Sequence, residues 1–541
     1  MKKLVSRFMA VLMAMTMILS MSMTAFAAEA PKGTLTVNNT VAGKTLDLYQ
    51  IFTATKNGDN VAYTLNDAYE GFFQSKISGA STLTGEALSE KAYEYVKTQV
   101  GTDGSNGAAF AKDIMGWILS ASGETKTAVE STHSTTTTAD TKTVIENLAY
   151  GYYVVYPLGA TDTSTAPGNE AVKSVASLVS VTGDDATVKM KSNYPTVVKK
   201  VNDKNADDVN IGDTVTYTLT SKVPDMTGYT SYVFNFKDTL AKGLTFGSIT
   251  SVTVGSGENV QNVTEGTGDN TYTLTQDGQN ITITMNNFFA SNENKAGQEI
   301  NVTYTATLNK DAVTGFDPNT NKATVEYSNK PGTDEKGESE PSIVDVHTFN
   351  FTIFKYYLKD ETKTGLANAE FELYKANEAG DAADTNAKIN IVKVKDGEYR
   401  QATPEEAAAE GFKSDVIVSG TDGKVLVKGL DAGTYYLRET KAPEGYNKLL
   451  SDIKVEIKAN YDPKTGKLTS YSVDYTYNGT TTTGTAITNK DNSPEVAVEN
   501  KTGAQLPSTG SKGALMVTLA GIVLFGVLTA SKAFGKKKAK N

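Results

Sequence analysis

Glu299-Ile300-Asn301-Val302-Thr303-Tyr304-Thr305 sets apolar or aromatic side chains at 300, 302 and 304 against polar ones between them. A period of two places the first set on one face of an extended chain and the second on the other, the mark of a strand with one buried side. Asp213-Thr214-Val215-Thr216-Tyr217-Thr218-Leu219 carries the same pattern upstream. Outward from these two, residues from about Ser192-Asn193-Tyr194-Pro195 to Ser342 contain only strand-like runs, beginning with Thr196 to Val201. Alternation sustained without helices predicts an antiparallel β-sandwich.

The rest of the chain extends this reading in both directions. Residues 28–192 open with the strands Gly33-Thr34-Leu35-Thr36-Val37 and Thr45 to Phe52, and strands return at Gly151 to Tyr156 and Ala176 to Val181. Between them Leu88, Ala92, Tyr95 and Val96 repeat at helical spacing, as do Phe110, Ile114, Trp117 and Ile118. Both stripes read as core faces of two inserted helices. The polar stretch Asn329 to Pro341 leads to a further alternating region, residues 346–490, and residues 491–505 read as a linker rich in charged and small residues. The expectation is a mainly β chain of tandem immunoglobulin-like sandwiches at 28–192, 193–345 and 346–490, the first with helices.

The two ends carry a different signal. Lys2, Lys3 and Arg7 precede an apolar run from Phe8 to Met23 and the small-residue site Ala25-Phe26-Ala27, which predicts an export signal over 1–27 cleaved after Ala27. Near the other end Ala514 to Ala530 is apolar and long enough, at about 1.5 Å per helical residue, for a membrane span of roughly 25 Å. Lys532, Lys536, Lys537, Lys538 and Lys540 follow it, the basic side that stays cytoplasmic. There is no cysteine, so an exported chain of this kind can be stapled only through other side chains. A net charge of −10 without basic clusters in the mature region excludes nucleic acid as a partner. Only His133 and His347 are present, and no metal-ligand, nucleophile-elbow or phosphate-loop motif occurs, so neither an enzyme nor a cofactor is expected.

The most informative feature is where alternation points certain polar groups. Lys199 shares a face with Val197 and Val201, Asp238 with Phe234 and Phe236, and Asn321 with Ala323, Val325 and Tyr327. In the following region Lys355 aligns with Phe351 and Ile353, Glu439 with Tyr435 and Leu437, and Asn489 with Ile487. The order lysine, acid, asparagine therefore occurs twice. A charge in an apolar interior costs several kcal/mol unless something compensates. An ordinary buried salt bridge is one compensation. The other is chemistry: a dry pocket neutralises both amine and acid, and the amine then attacks the asparagine carbonyl to form an isopeptide bond.

These residues resemble those of the sortase-assembled major pilins of Gram-positive bacteria, over essentially the whole chain. Phe351-Thr352-Ile353-Phe354-Lys355, with Leu366 to Tyr374, is similar to the opening of a collagen-adhesin B-type domain, and Tyr435 to Tyr446 is similar to the pilin E-box with its glutamate at Glu439. The middle region resembles the fimbrial isopeptide-forming domain through Pro195 to Val201, Asp238-Thr239-Leu240 and Asn321 to Val325. The resemblance implies bonds from Lys199 to Asn321 and from Lys355 to Asn489. Leu506-Pro507-Ser508-Thr509-Gly510, followed by the apolar span and basic tail over 506–541, resembles a cell-wall sorting signal. That implies a sortase as partner, with peptidoglycan and other pilin subunits as acceptors, on a wall-anchored surface pilus with a possible host receptor. Pilins of this kind carry the polymerising lysine directly after Tyr-Pro, but Thr196 follows Tyr194-Pro195 here, so Lys191 and Lys189 are the candidates. A monomeric wall-anchored adhesin of the same domain types is the alternative function.

Overall fold

The structure is a computed structural model that describes residues 31–503, apart from 102, 103, 105, 121–128, 162–174, 191 and 192. The expected export signal, the sorting signal Leu506 to Gly510, the span 514–530 and Lys191 lie outside the described residues. The chain divides into two compact units after Thr348, with Asn460–Thr469 joining the first.

In the first unit, the strand Lys32–Asn38 pairs with Lys142–Ala149 and Ala186–Lys189. A second sheet is centred on Thr45–Asn57, which pairs with Asn60–Leu65, His133–Thr136 and Gly151–Pro157. The helices Gly85–Val100 and Gly107–Leu119 lie where the helical spacing predicts them. They bury Leu88, Ala92 and Val96, and Phe110, Ile114 and Ile118, in one apolar cluster with Tyr49, Phe52 and Val154. Helical periodicity thus read core faces, since the side chains at that spacing are the ones that leave water.

Residues 197–346 of the same unit enclose a separate apolar cluster between two sheets. No division into compact units falls at the Tyr194-Pro195 boundary, although the apolar clusters on its two sides are distinct. One sheet runs in the order Val198–Val201, Thr214–Lys222, Glu299–Leu308 and Leu244–Val254. The other places Phe234–Leu240 between Asn280–Met285 and Asn319–Ser328, with Ser342–His347 beyond the latter. Along Glu299–Leu308, Ile300, Val302, Tyr304, Ala306 and Leu308 are buried and their neighbours are not, so the alternation translates directly into an inner face. The single helical turn Phe288–Asn292 departs from the all-strand expectation, and it stacks Phe288 on Phe234 at 4.7 Å between ring centroids.

The second unit also has two sheets. Phe349–Lys359 pairs antiparallel with Lys424–Leu430, while Glu370–Ala376 and Gly433–Lys441 pair in the other sheet. Residues 491–505, expected to be a linker, contain the strand Glu495–Glu499, which pairs in parallel with Phe349–Lys359. The reason is local. Val496 and Val498 alternate with Glu495, Ala497 and Glu499, and both valines are buried on the inner face while the charges stay outward.

Two buried lysine, carboxylate and asparagine sites

Lys199 lies on the edge strand Val198–Val201, opposite Leu219, with Val198 exposed and Lys200 turned away from the core. Asp238 and Asn321 come from two adjacent strands of the facing sheet, where Leu240 is the register partner of Asn321. All three side chains are buried, with Lys199 1% exposed. The Lys199 amine donates to Asp238 Oδ2 and, at 2.7 Å, to the hydroxyl of Tyr304. That hydroxyl donates to Asp238 Oδ2 at 2.9 Å and accepts from Asn321 Nδ2 at 2.7 Å. The rings of Tyr304 and Tyr217 stack 5.2 Å apart, and Lys199 Nζ sits 4.8 Å over the Tyr217 ring. Asp238 Oδ1 and Asn321 Oδ1 are buried without a hydrogen-bond partner.

Burial sets the electrostatics. Loss of water pulls the Lys199 amine down to about 8, against the opposing pull of Asp238. The same loss of water raises the Asp238 carboxyl, against the pull of Lys199 and Tyr304. An amine and an acid that each move toward the neutral form share a low-dielectric pocket with an amide carbonyl. An amine, an acid and an amide are thereby held together away from bulk solvent.

The second unit builds a site of the same composition. Lys355, on Phe349–Lys359, is fully buried, and its Nζ lies 3.0 Å from Glu439 Oε1. Burial lowers this amine to about 8, with Glu439 opposing. Its strand is held close by a turn at Gly423, whose φ of +77° and whose separation of only 2.2 Å between a would-be Cβ and the Lys355 carbonyl oxygen admit glycine alone. The carbonyl of Gly423 accepts the Lys355 N–H at 2.8 Å.

Asn489 is not in this site. It is exposed, and its Oδ1 accepts from Asp491 N–H at 3.1 Å and from Asn492 Nδ2 at 3.0 Å, so it stabilises a turn. Ile487 is buried in an isolated bridge to Tyr471, but the extended chain does not continue through 489, so the in-phase argument does not carry that far. The buried asparagine is Asn500. Its Nδ2 donates to Glu439 Oε2 at 3.3 Å and to the Asn447 carbonyl at 2.5 Å, and its N–H donates to the Tyr356 carbonyl at 2.9 Å. Its Oδ1 has no partner, as for Asn321. The signal that finds Asn500 is its phase with Val496 and Val498, and Tyr304 is found by its phase with Ile300 and Val302. Lys189 ends the strand Ala186–Lys189 with its side chain exposed.

Residues 211–331 match the family described as Gram-positive pilin backbone subunit 2, Cna-B-like domain, and residues 352–471 match the SpaA prealbumin-like fold domain. Residues 211–331 thus belong to a domain family of Gram-positive pilin backbone subunits. The first match contains Asp238, Tyr304 and Asn321, and the second contains Lys355 and Glu439. The chain is 25% identical over 360 residues to the trypsin-resistant surface T6 protein of Streptococcus pyogenes serotype M6. That alignment covers 60% of this chain and 59% of the T6 protein, less than two thirds of its length. Among solved structures, the T6 backbone pilin of serotype M6 Streptococcus pyogenes matches 88% of this chain and all of its own at 17% identity, with a TM-score of 0.44. The group B streptococcus pilus 2b backbone protein matches 57% of this chain and 99% of its own at 25% identity, with a TM-score of 0.39.

Proposed function

We propose that this chain is a major pilin, the structural subunit of a covalently polymerised, wall-anchored surface pilus, and that its two buried sites close isopeptide bonds from Lys199 to Asn321 and from Lys355 to Asn500. The observation that carries the proposal is a lysine and carboxylate pair buried twice over, each time beside an asparagine whose carbonyl oxygen has no partner. A salt bridge alone gives no reason for the asparagine to be there.

In each site the neutral amine attacks the asparagine Cγ, a C–N bond forms, and the side-chain amide nitrogen leaves as ammonia. In the first site a proton on Asp238 Oδ1 gives the Asn321 carbonyl oxygen the donor it lacks and stabilises the charge that develops there. In the second site Glu439 stands between the two nitrogens, its Oε1 3.0 Å from Lys355 Nζ and its Oε2 3.3 Å from Asn500 Nδ2. Because the three groups of each site meet between facing sheets in one rigid core, their effective concentration replaces an external enzyme. A sortase cleaves between Thr509 and Gly510, and the acyl group passes to the amine of Lys189 or Lys191 on another subunit, or to a peptidoglycan amine that ends growth.

Intact mass spectrometry tests the crosslinks. The mature chain should weigh less than its sequence by two ammonias, N500A should lose only one, and N489A should still lose both. A mature chain at its full sequence mass would refute the proposal, and a single loss in N489A with two in N500A would return the second site to Asn489.

A further inference from the structure

Tyr304 is the one group in the first site that touches every reacting partner. Its hydroxyl oxygen lies 2.7 Å from the attacking nitrogen, Lys199 Nζ, and 2.7 Å from the leaving nitrogen, Asn321 Nδ2, while its proton points to Asp238 Oδ2 at 2.9 Å. A phenol has one proton to donate and two lone pairs to accept, and all are used here. The attack creates a problem that this geometry answers. The attacking nitrogen must shed a proton and the departing amide nitrogen must gain one, inside a core that holds all of these side chains at no more than 2% exposure.

Resting on the isopeptide reading above, we propose that Tyr304 is a catalytic proton shuttle between the two nitrogens. When Lys199 Nζ bonds to Asn321 Cγ, the carbonyl π pair moves to Oδ1, which takes a hydrogen bond from the neutral Asp238. The tetrahedral carbon frees a lone pair on Nδ2, and Nζ passes one proton to the Tyr304 oxygen as the phenolic hydrogen turns from Asp238 Oδ2 and moves to Nδ2. The Cγ–Nδ2 bond then breaks and its pair leaves with nitrogen as ammonia, the carbonyl re-forms, and Tyr304 ends with one proton as it began. Asp238 keeps its own proton throughout, so the acid polarises and the phenol transfers.

The second site divides the work differently. There the leaving nitrogen, Asn500 Nδ2, rests against Glu439 Oε2 at 3.3 Å, and the amine faces the hydrocarbon ring of Phe371 at 5.8 Å. The carboxylate is placed to make the transfer itself. The two sites in one chain are therefore a built-in control.

The test is Y304F in the intact chain, with both crosslinked peptides followed by mass against time after refolding. Loss of a general acid and base costs about a hundredfold in rate, so the Lys199–Asn321 bond should form about a hundredfold more slowly while Lys355–Asn500 keeps its wild-type rate. Formation of the first bond at the wild-type rate would overturn the shuttle. Ring-fluorinated tyrosine at 304 keeps the shape and acidifies the phenol, so it covers the case in which Y304F fails to fold. The rate should then follow phenol acidity and show a solvent deuterium isotope effect, and indifference to both would overturn the proposal. Absence of the Lys199–Asn321 bond from the wild-type chain would instead strike the isopeptide reading beneath it.

Discussion

At Lys199 the competing energies are visible in one side chain: burial lowers its amine to about 8, and Asp238 pulls the other way. The ion pair and the neutral pair hold the same number of protons, so their balance does not itself depend on pH; only adding or removing a proton from the pair does. The reactive form is neutral amine with neutral acid. Raising the pH past about 8 removes the shared proton and leaves neutral Lys199 beside ionised Asp238, which no longer polarises the amide. Lowering the pH past the raised Asp238 value adds a proton and leaves the amine charged. The rate of Lys199–Asn321 formation should therefore be bell-shaped, with its alkaline limb near pH 8 and its acid limb above the ordinary carboxylate range. Stopped-time mass measurements on freshly refolded chain would show it, and a rate that climbs steadily to pH 10 would contradict a required acid. Five of the six site residues were legible from one rule, a polar group in phase with apolar neighbours: Lys199, Asp238, Asn321, Lys355 and Glu439 are all buried. Asn489 failed because the rule needs a strand, and the chain at 489 is a turn. Tyr304 passed unnoticed because an aromatic side chain in phase with a core looks like core, and only the structure shows where its hydroxyl goes.

Glu495–Glu499 decides the second site at the scale of the element. Its pairing in parallel with Phe349–Lys359, Val498 opposite Lys355, carries the following Asn500 to Glu439. Its short length and charged ends disguised it as linker, and nothing in a sequence announces a parallel partner so distant along the chain. By contrast the long strands of the first unit and its helices Gly85–Val100 and Gly107–Leu119 were legible, because periodicity repeated over several turns or pleats leaves little ambiguity. The strand gives a sharp prediction. Val496 is fully buried, so V496D puts an uncompensated carboxylate into the core and should destabilise this unit by roughly 3–5 kcal/mol. The strand should then dissociate and take Asn500 with it. Peptide mapping should find the Lys355–Asn500 crosslink lost and Lys199–Asn321 intact, whereas retention of both would mean that the asparagine reaches Glu439 without this strand.

For the whole molecule, the positions of the two proposed bonds along the chain determine which parts would carry load in a fibre. If the next subunit is joined through Lys189, tension enters there and leaves through Thr509, so the residues before 189 lie outside its path. Force then meets Lys199 and crosses directly to Asn321, passing over the strands between them. The residues from Asn321 to Lys355 remain in series, including the strand Ser342–His347. From Lys355 the path crosses to Asn500, which follows the last strand described, so almost nothing of the second unit is left to extend. Between residues 199 and 500, pulling should release only the segment after Asn321 in the first unit, about 27 residues, or at most roughly 90 Å of contour at the length of an extended chain. N500A should add about 145 residues, up to roughly 490 Å, as a separate event. Single-molecule stretching between a handle at 189 and one at the C-terminal end measures both lengths. A wild-type trace that already contains the longer event would mean that the second unit carries its load through hydrogen bonds alone.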